Sequence, residues 1–115
     1  MTPQIDKLDI NEKKTTILVV DDTIRNIQLL GNILREKGFK IAVATQGVQA
    51  LELAEKAKPD LILLDIMMPE MDGYEVCIHL KNNPRTQDIP IIFLTAKTET
   101  EDLVKGFQVG AGHLL

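Results

Sequence analysis

The sequence predicts an α/β domain built on a doubly wound parallel sheet, and three observations carry that expectation. Short, wholly apolar runs recur along the chain: Ile17-Leu18-Val19-Val20, Leu61-Ile62-Leu63-Leu64 and Ile91-Ile92-Phe93-Leu94. Strands buried on both faces need such runs, whereas a half-exposed strand would alternate. Between them lie stretches whose apolar residues fall at helical spacing, and parallel neighbours require such crossovers, which are right-handed. Finally, the first run ends in Asp21-Asp22 and the second in Asp65. Open parallel sheets carry their chemistry at the carboxyl ends of their strands, so these acids stand where a site belongs.

Taken in order, residues 1–15 mix charges with isolated Ile5, Leu8 and Ile10 and show no firm period, so they read as a tail. The folded domain is expected over 16–115. After the first strand, Ile27, Leu30, Gly31 and Leu34, with Ile24 one turn earlier, mark a first helix, which Lys37-Gly38 stops with a cation and a glycine. Ile41 and Val43 mark a second strand. Val48, Leu51 and Ala54 mark a second helix, broken at Lys58-Pro59. The third strand runs into Met67-Met68-Pro69-Glu70-Met71, and Asp72 with Glu75 reads as a capping box for a third helix that Asn82-Asn83-Pro84 ends. Pro90 admits the fourth strand, which finishes in Thr95-Ala96. A second capping box, Thr98 with Glu101, opens a fourth helix carrying Leu103, Val104 and Phe107, and Gly110 closes it. Gly112-His113-Leu114-Leu115 looks like the beginning of another strand.

The chain has 115 residues and 12.8 kDa, which allows one domain burying roughly two thirds of the surface of its unfolded chain. Its net charge of -4 argues against nucleic acid or an anionic membrane as the direct partner, since both reward a basic face. No apolar stretch approaches the length of a membrane span and the first residues lack the hydrophobic centre of a signal peptide, so a cytoplasmic location is expected. The single Cys77, among apolar neighbours, reads as a packed thiol.

If the first and third strands are neighbours, Asp21, Asp22 and Asp65 converge on one crevice. Two like charges about 4 Å apart repel by on the order of 4 kcal/mol at an effective dielectric near 20, so the cluster calls for a cation or a proton. Oxygen donors without histidine or cysteine select Mg²⁺ or Mn²⁺ over zinc. Asp21 or Asp22 also stands where it would cap the first helix, and Asp22 is compatible with both roles. Asp65 has no such competing role, because no helix starts beside it in sequence. Thr95 brings a hydroxyl to the same edge. Met67, Met68 and Met71 read as turn packing, and His79 and His113, without partners at ligand spacing, as structural.

Val19-Val20-Asp21-Asp22, then Asp65-Ile66-Met67-Met68-Pro69-Glu70-Met71-Asp72-Gly73, then Leu94-Thr95-Ala96, together resemble the receiver domain of bacterial two-component response regulators. The resemblance runs from about residue 16 to the end. It implies a flavodoxin-like receiver fold with strand order 2-1-3-4-5 and Asp65 as phosphoacceptor, taking a phosphoryl group from a partner histidine kinase or phosphotransfer protein. It further implies Mg²⁺ held by Asp22, Asp65 and the backbone carbonyl of Met67, with Asp21 acting through water, and Thr95 as a switch hydroxyl. Such a protein assists its own phosphorylation but is not an enzyme. The family's aromatic position on strand 5 falls on Leu114. Its lysine, the following proline and helix 5 have no counterpart here, and neither Lys97 nor Lys105 matches that lysine's position.

The domain is therefore expected to be truncated, lacking most of strand 5 and helix 5, with the outer edge of the fourth strand unpaired and a homo-oligomer covering it. Two other readings compete. One is a non-switching, receiver-like interaction protein that assembles through the uncovered surface. The other, a metal-dependent phosphatase or hydrolase, accounts for the acids but not for the Met-Met-Pro-Glu-Met-Asp-Gly and Leu-Thr-Ala motifs.

Overall fold

Five parallel strands in one sheet form the centre of the molecule, in the order β2-β1-β3-β4-β5. The computed structural model describes residues 15–94 and the backbone of residues 112–114. The strands are β1 (Thr16–Val20), β2 (Lys40–Ala44), β3 (Leu61–Asp65), β4 (Ile91–Leu94) and β5 (Gly112–Leu114), and the described helices are α1 (Ile24–Glu36), α2 (Gly47–Ala57) and α3 (Gly73–Lys81). The fourth helix expected from Thr98, together with Thr95, Lys97 and the tail through residue 14, lies outside the described residues.

Alternation along the strands divides the core in two, because successive side chains point to opposite faces. Leu18, Val20, Ile62, Leu64, Ile91 and Phe93 meet Ala50 and Ala54 of α2 and Tyr74, Val76, Cys77 and Leu80 of α3 on one face. Tyr74 and Phe93 pack edge to face, with ring centroids 5.1 Å apart, and tie α3 to β4. Ile17, Val19 and Leu63 meet Ile27, Leu30 and Leu34 of α1 on the other, with Ile92 and Leu94 partly buried beside them. Cys77 lies in the first cluster, and burial pushes its thiol pKa up, as expected of a packed thiol.

Several element boundaries follow from single residues. Lys58 caps α2 in the left-handed conformation (φ 46°, ψ 62°) and donates its N–H to the Ala54 carbonyl, so the helix ends just before Pro59. Asp72 accepts the Glu75 N–H at 2.9 Å while Glu75 accepts the Asp72 N–H at 3.3 Å, completing the expected capping box.

Three expectations are corrected. Val48 is 55% exposed, and α2 meets the sheet through Gly47, Ala50 and Ala54 instead, because small side chains let a helix approach a sheet more closely. Ile24 at the start of α1 is 63% exposed and does not join the inner face of Ile27, Leu30, Gly31 and Leu34. The outer edge of β4 is not bare: Ile92, Phe93 and Leu94 pair with Gly112, His113 and Leu114, so the stub forms a strand and covers the edge that was expected to drive self-association.

Candidate functional site

The register of the central strands assembles the site. β1 and β3 run side by side with Val20 opposite Leu64, so Asp21 and Asp65, one step further on, leave adjacent strands together. They share the alternation of Ile17, Val19 and Leu63, which places both on the α1 side of the sheet. Asp22 follows directly. One carboxylate oxygen from each of Asp21, Asp22 and Asp65 lies within 4.8 Å of the others. Asp21 is only 4% exposed, Asp65 is half-buried and Asp22 is exposed.

N–H donors orient two of the three carboxylates. Asp21 accepts the Thr23 N–H on Oδ1 at 2.8 Å and the Asn26 side-chain amide on Oδ2 at 3.2 Å. Asp65 accepts the Met67 N–H on Oδ1 at 3.2 Å. Neither Asp21 nor Asp22 is the N-cap of α1; that residue is Thr23, whose own side chain makes no capping bond. Burial pushes the Asp65 pKa up from an ordinary 3.8 to about 6. The Met67 N–H opposes the rise, whereas the charges of Asp21 and Asp22 and a hydrogen bond with the Asp22 carboxyl add to it. The site therefore resists the charge of its central acid.

The loop after Asp65 is held tightly beneath it. Gly73, the first residue of α3, donates its N–H to the Ile66 carbonyl at 2.9 Å. A Cβ at Gly73 would collide with the Asp65 carbonyl oxygen and come within 2.8 Å of the Ile66 Cα, so only glycine lets α3 begin against the backbone of the acid. Met71 donates its N–H to the Pro69 carbonyl at 2.8 Å around Glu70, whose φ of 66° is rare for a residue with a side chain. The Met71 side chain in turn closes over Gly47 at the start of α2. Of the three methionines read as packing, Met68 is buried and Met71 half-buried, but Met67 is 63% exposed and meets the site through its backbone, whose N–H bonds Asp65.

The structure thus brings Asp21, Asp22 and Asp65 together and sets Met67 immediately beside them, while Thr95 lies outside the described residues. Two contributors escaped sequence reasoning: Asn26, which holds Asp21, and Gly73, which admits α3. The usable signals were an amide in the first turn of a helix following two acids, and a glycine at the first position of a well-capped helix. As a donor set, three carboxylates whose charges repel and whose most central member resists ionisation fit a hard divalent cation.

Comparisons with known proteins agree with this geometry. A family model described as response regulator receiver domain matches residues 17–115. A probable cyclic di-GMP phosphodiesterase of Vibrio cholerae is 48% identical over 96 residues, covering 84% of this chain and 22% of that protein. The response regulator PleD of Caulobacter vibrioides is 42% identical over 99 residues, covering 86% of this chain and 22% of that protein. The chain therefore spans about a fifth of the length of these two relatives. Among solved structures, the chemotaxis protein CheY4 of Vibrio cholerae superposes with a TM-score of 0.85 at 33% identity, covering 90% of this chain and 86% of that one.

Proposed function

Because this chain belongs to the response regulator receiver domain family, we propose that it is the phosphoacceptor module of a two-component relay. Asp65 takes a phosphoryl group from a phosphohistidine on a partner histidine kinase or phosphotransfer protein, in the cytoplasm. The observation that carries this reading is the meeting of three carboxylates at the carboxyl edge of β1 and β3, with Asp65 the one central to the sheet.

Met67 N–H engages Asp65 Oδ1, which leaves Oδ2 as the nucleophile. As the oxygen–phosphorus bond forms, the phosphorus–nitrogen bond to the donor imidazole breaks, and its electron pair returns to the ring. With a pKa of about 6, Asp65 is ionised in roughly nine molecules of ten at pH 7, so the nucleophile is available despite its burial. Asp22, Asp65 and the Met67 carbonyl would hold Mg²⁺, or Mn²⁺, with Asp21 acting through water. When bound, the ion supplies the positive charge that an in-line transfer needs on the phosphoryl oxygens. Thr95 is the hydroxyl assigned to accompany the phosphorylated state. The protein acts as an acceptor that assists its own modification, not as an enzyme with turnover.

The test is labelling with acetyl phosphate in the presence and absence of Mg²⁺, followed by mapping of the modified residue. Labelling at Asp65 that requires Mg²⁺ and vanishes in Asp65→Asn supports the reading. Persistent labelling in that variant would refute it.

A further inference from the structure

We infer that Asn26 is a positioning residue for the acid cluster, its side-chain amide fixing the Asp21 carboxylate in the plane from which that carboxylate serves a divalent cation. This rests on the reading of Asp21, Asp22 and Asp65 as a cation site.

Asn26 is the third residue of α1. That position commonly carries a glutamate or glutamine that reaches back to the N–H of the helix cap. Here the cap is Thr23, and its N–H is already taken by Asp21 Oδ1 at 2.8 Å. The Asn26 side chain passes that group and donates to Asp21 Oδ2 at 3.2 Å. The capping exchange usually made between two residues is thus extended to a third, the buried acid at the end of β1.

The choice of side chain follows from the charges around it. Asp21 is 4% exposed and has little water to orient it, so each of its oxygens depends on one protein donor. A carboxylate offers about four acceptor sites, and two donors leave each oxygen one further site for a water. This is what a carboxylate acting through water requires. A glutamate or aspartate at position 26 would instead place a fourth negative charge against Asp21, Asp22 and Asp65. An apolar residue would leave Oδ2 without its donor and let the carboxylate turn about the single remaining bond to Thr23. An amide supplies the donor without the charge. At 3.2 Å the bond is near the long end of the normal range, so its value lies in orientation more than in strength.

The experiment measures Mg²⁺ affinity of the full chain by titration calorimetry, alongside urea unfolding in EDTA. Partners that orient metal ligands are worth about 10- to 100-fold in affinity, and a bond as long as this one places Asn26→Ala near tenfold weaker. Asn26→Gln, which keeps the amide on a side chain one methylene longer, is expected within about threefold of wild type. Unchanged affinity in Asn26→Ala overturns the inference. So does an equal loss in both variants that tracks their unfolding midpoints, since that assigns the residue to folding alone. Asp65→Asn separates the two levels: if it binds Mg²⁺ as wild type does, the cation site itself is refuted, whereas if it loses binding and Asn26→Ala does not, only the role of Asn26 fails.

Discussion

Removing the charge of Asp65 should make the cation-free protein more stable. The carboxyl pKa rises from 3.8 to about 6 in the folded chain, so the folded state opposes ionisation where the unfolded state does not. About two pKa units correspond to roughly 3 kcal/mol as an upper bound. Asp65 is only half-buried, and solvent screening reduces this to about 1 to 1.5 kcal/mol. The sign follows from proton uptake: between pH 3.8 and about 6 the folded state holds more protons than the unfolded one. The cost of the charge is therefore complete above pH 6 and fades as the pH falls toward 3.8. Asp65→Asn keeps an oxygen to accept the Met67 N–H and loses only the charge. In EDTA at pH 7.5 the variant should unfold about 1 to 1.5 kcal/mol later in urea, or roughly 5 to 10 °C higher. At pH 4.5 the gap should shrink to roughly 0.6 of that. Saturating Mg²⁺ should narrow it at pH 7.5 as well, because the ion stabilises wild type by about 1.4 kcal/mol at ten times its Kd and the variant hardly at all. A variant less stable than wild type at pH 7.5 in EDTA, or a gap indifferent to pH, would refute the reasoning.

Two other substitutions probe the scaffold. Gly73→Ala should destabilise by about 1 to 3 kcal/mol and weaken Mg²⁺ binding, since its Cβ meets the Asp65 and Ile66 backbone, neither of which can yield without moving the acid; urea unfolding within about 0.5 kcal/mol of wild type would contradict the contact. Lys58→Gly should stabilise by about 0.5 to 1 kcal/mol in the same assay while leaving Mg²⁺ affinity unchanged, because glycine adopts the left-handed cap of α2 without strain.

The parts of this molecule that could be read from sequence are those decided by neighbouring residues. The acids at the ends of β1 and β3 stand beside apolar runs, and the Asp72–Glu75 box spans one helical turn. What stayed hidden depends on distances through space. The periodicity of Val48 with Leu51 and Ala54 fits a helix, yet the face that packs is chosen by how closely the sheet approaches, which favoured Gly47 and Ala50. The need for glycine at position 73 comes from the Asp65 carbonyl, which sits eight positions earlier and on another element. Asn26 was invisible for a similar reason: an amide in a first helical turn is ordinary until Asp21 is known to be buried beneath it. β5, with three residues, is too short to carry a period, and its pairing with β4 emerges only from the topology.

The position of β3 also determines how news of a chemical event at Asp65 can travel. This strand is flanked by β1 and β4, and Asp65 itself lies opposite Leu94, so displacing the acid's backbone would mean breaking ladders on both sides. The cheaper coordinates are side-chain torsions and the short loop from Ile66 to Asp72, where Glu70 already holds a conformation of higher energy. That loop ends under Asp65 at Gly73 and touches α2 through Met71, so a rearrangement there is delivered to two helices at once. Asp65 is in effect a fixed fulcrum, and the peptide that follows it is the arm that would move.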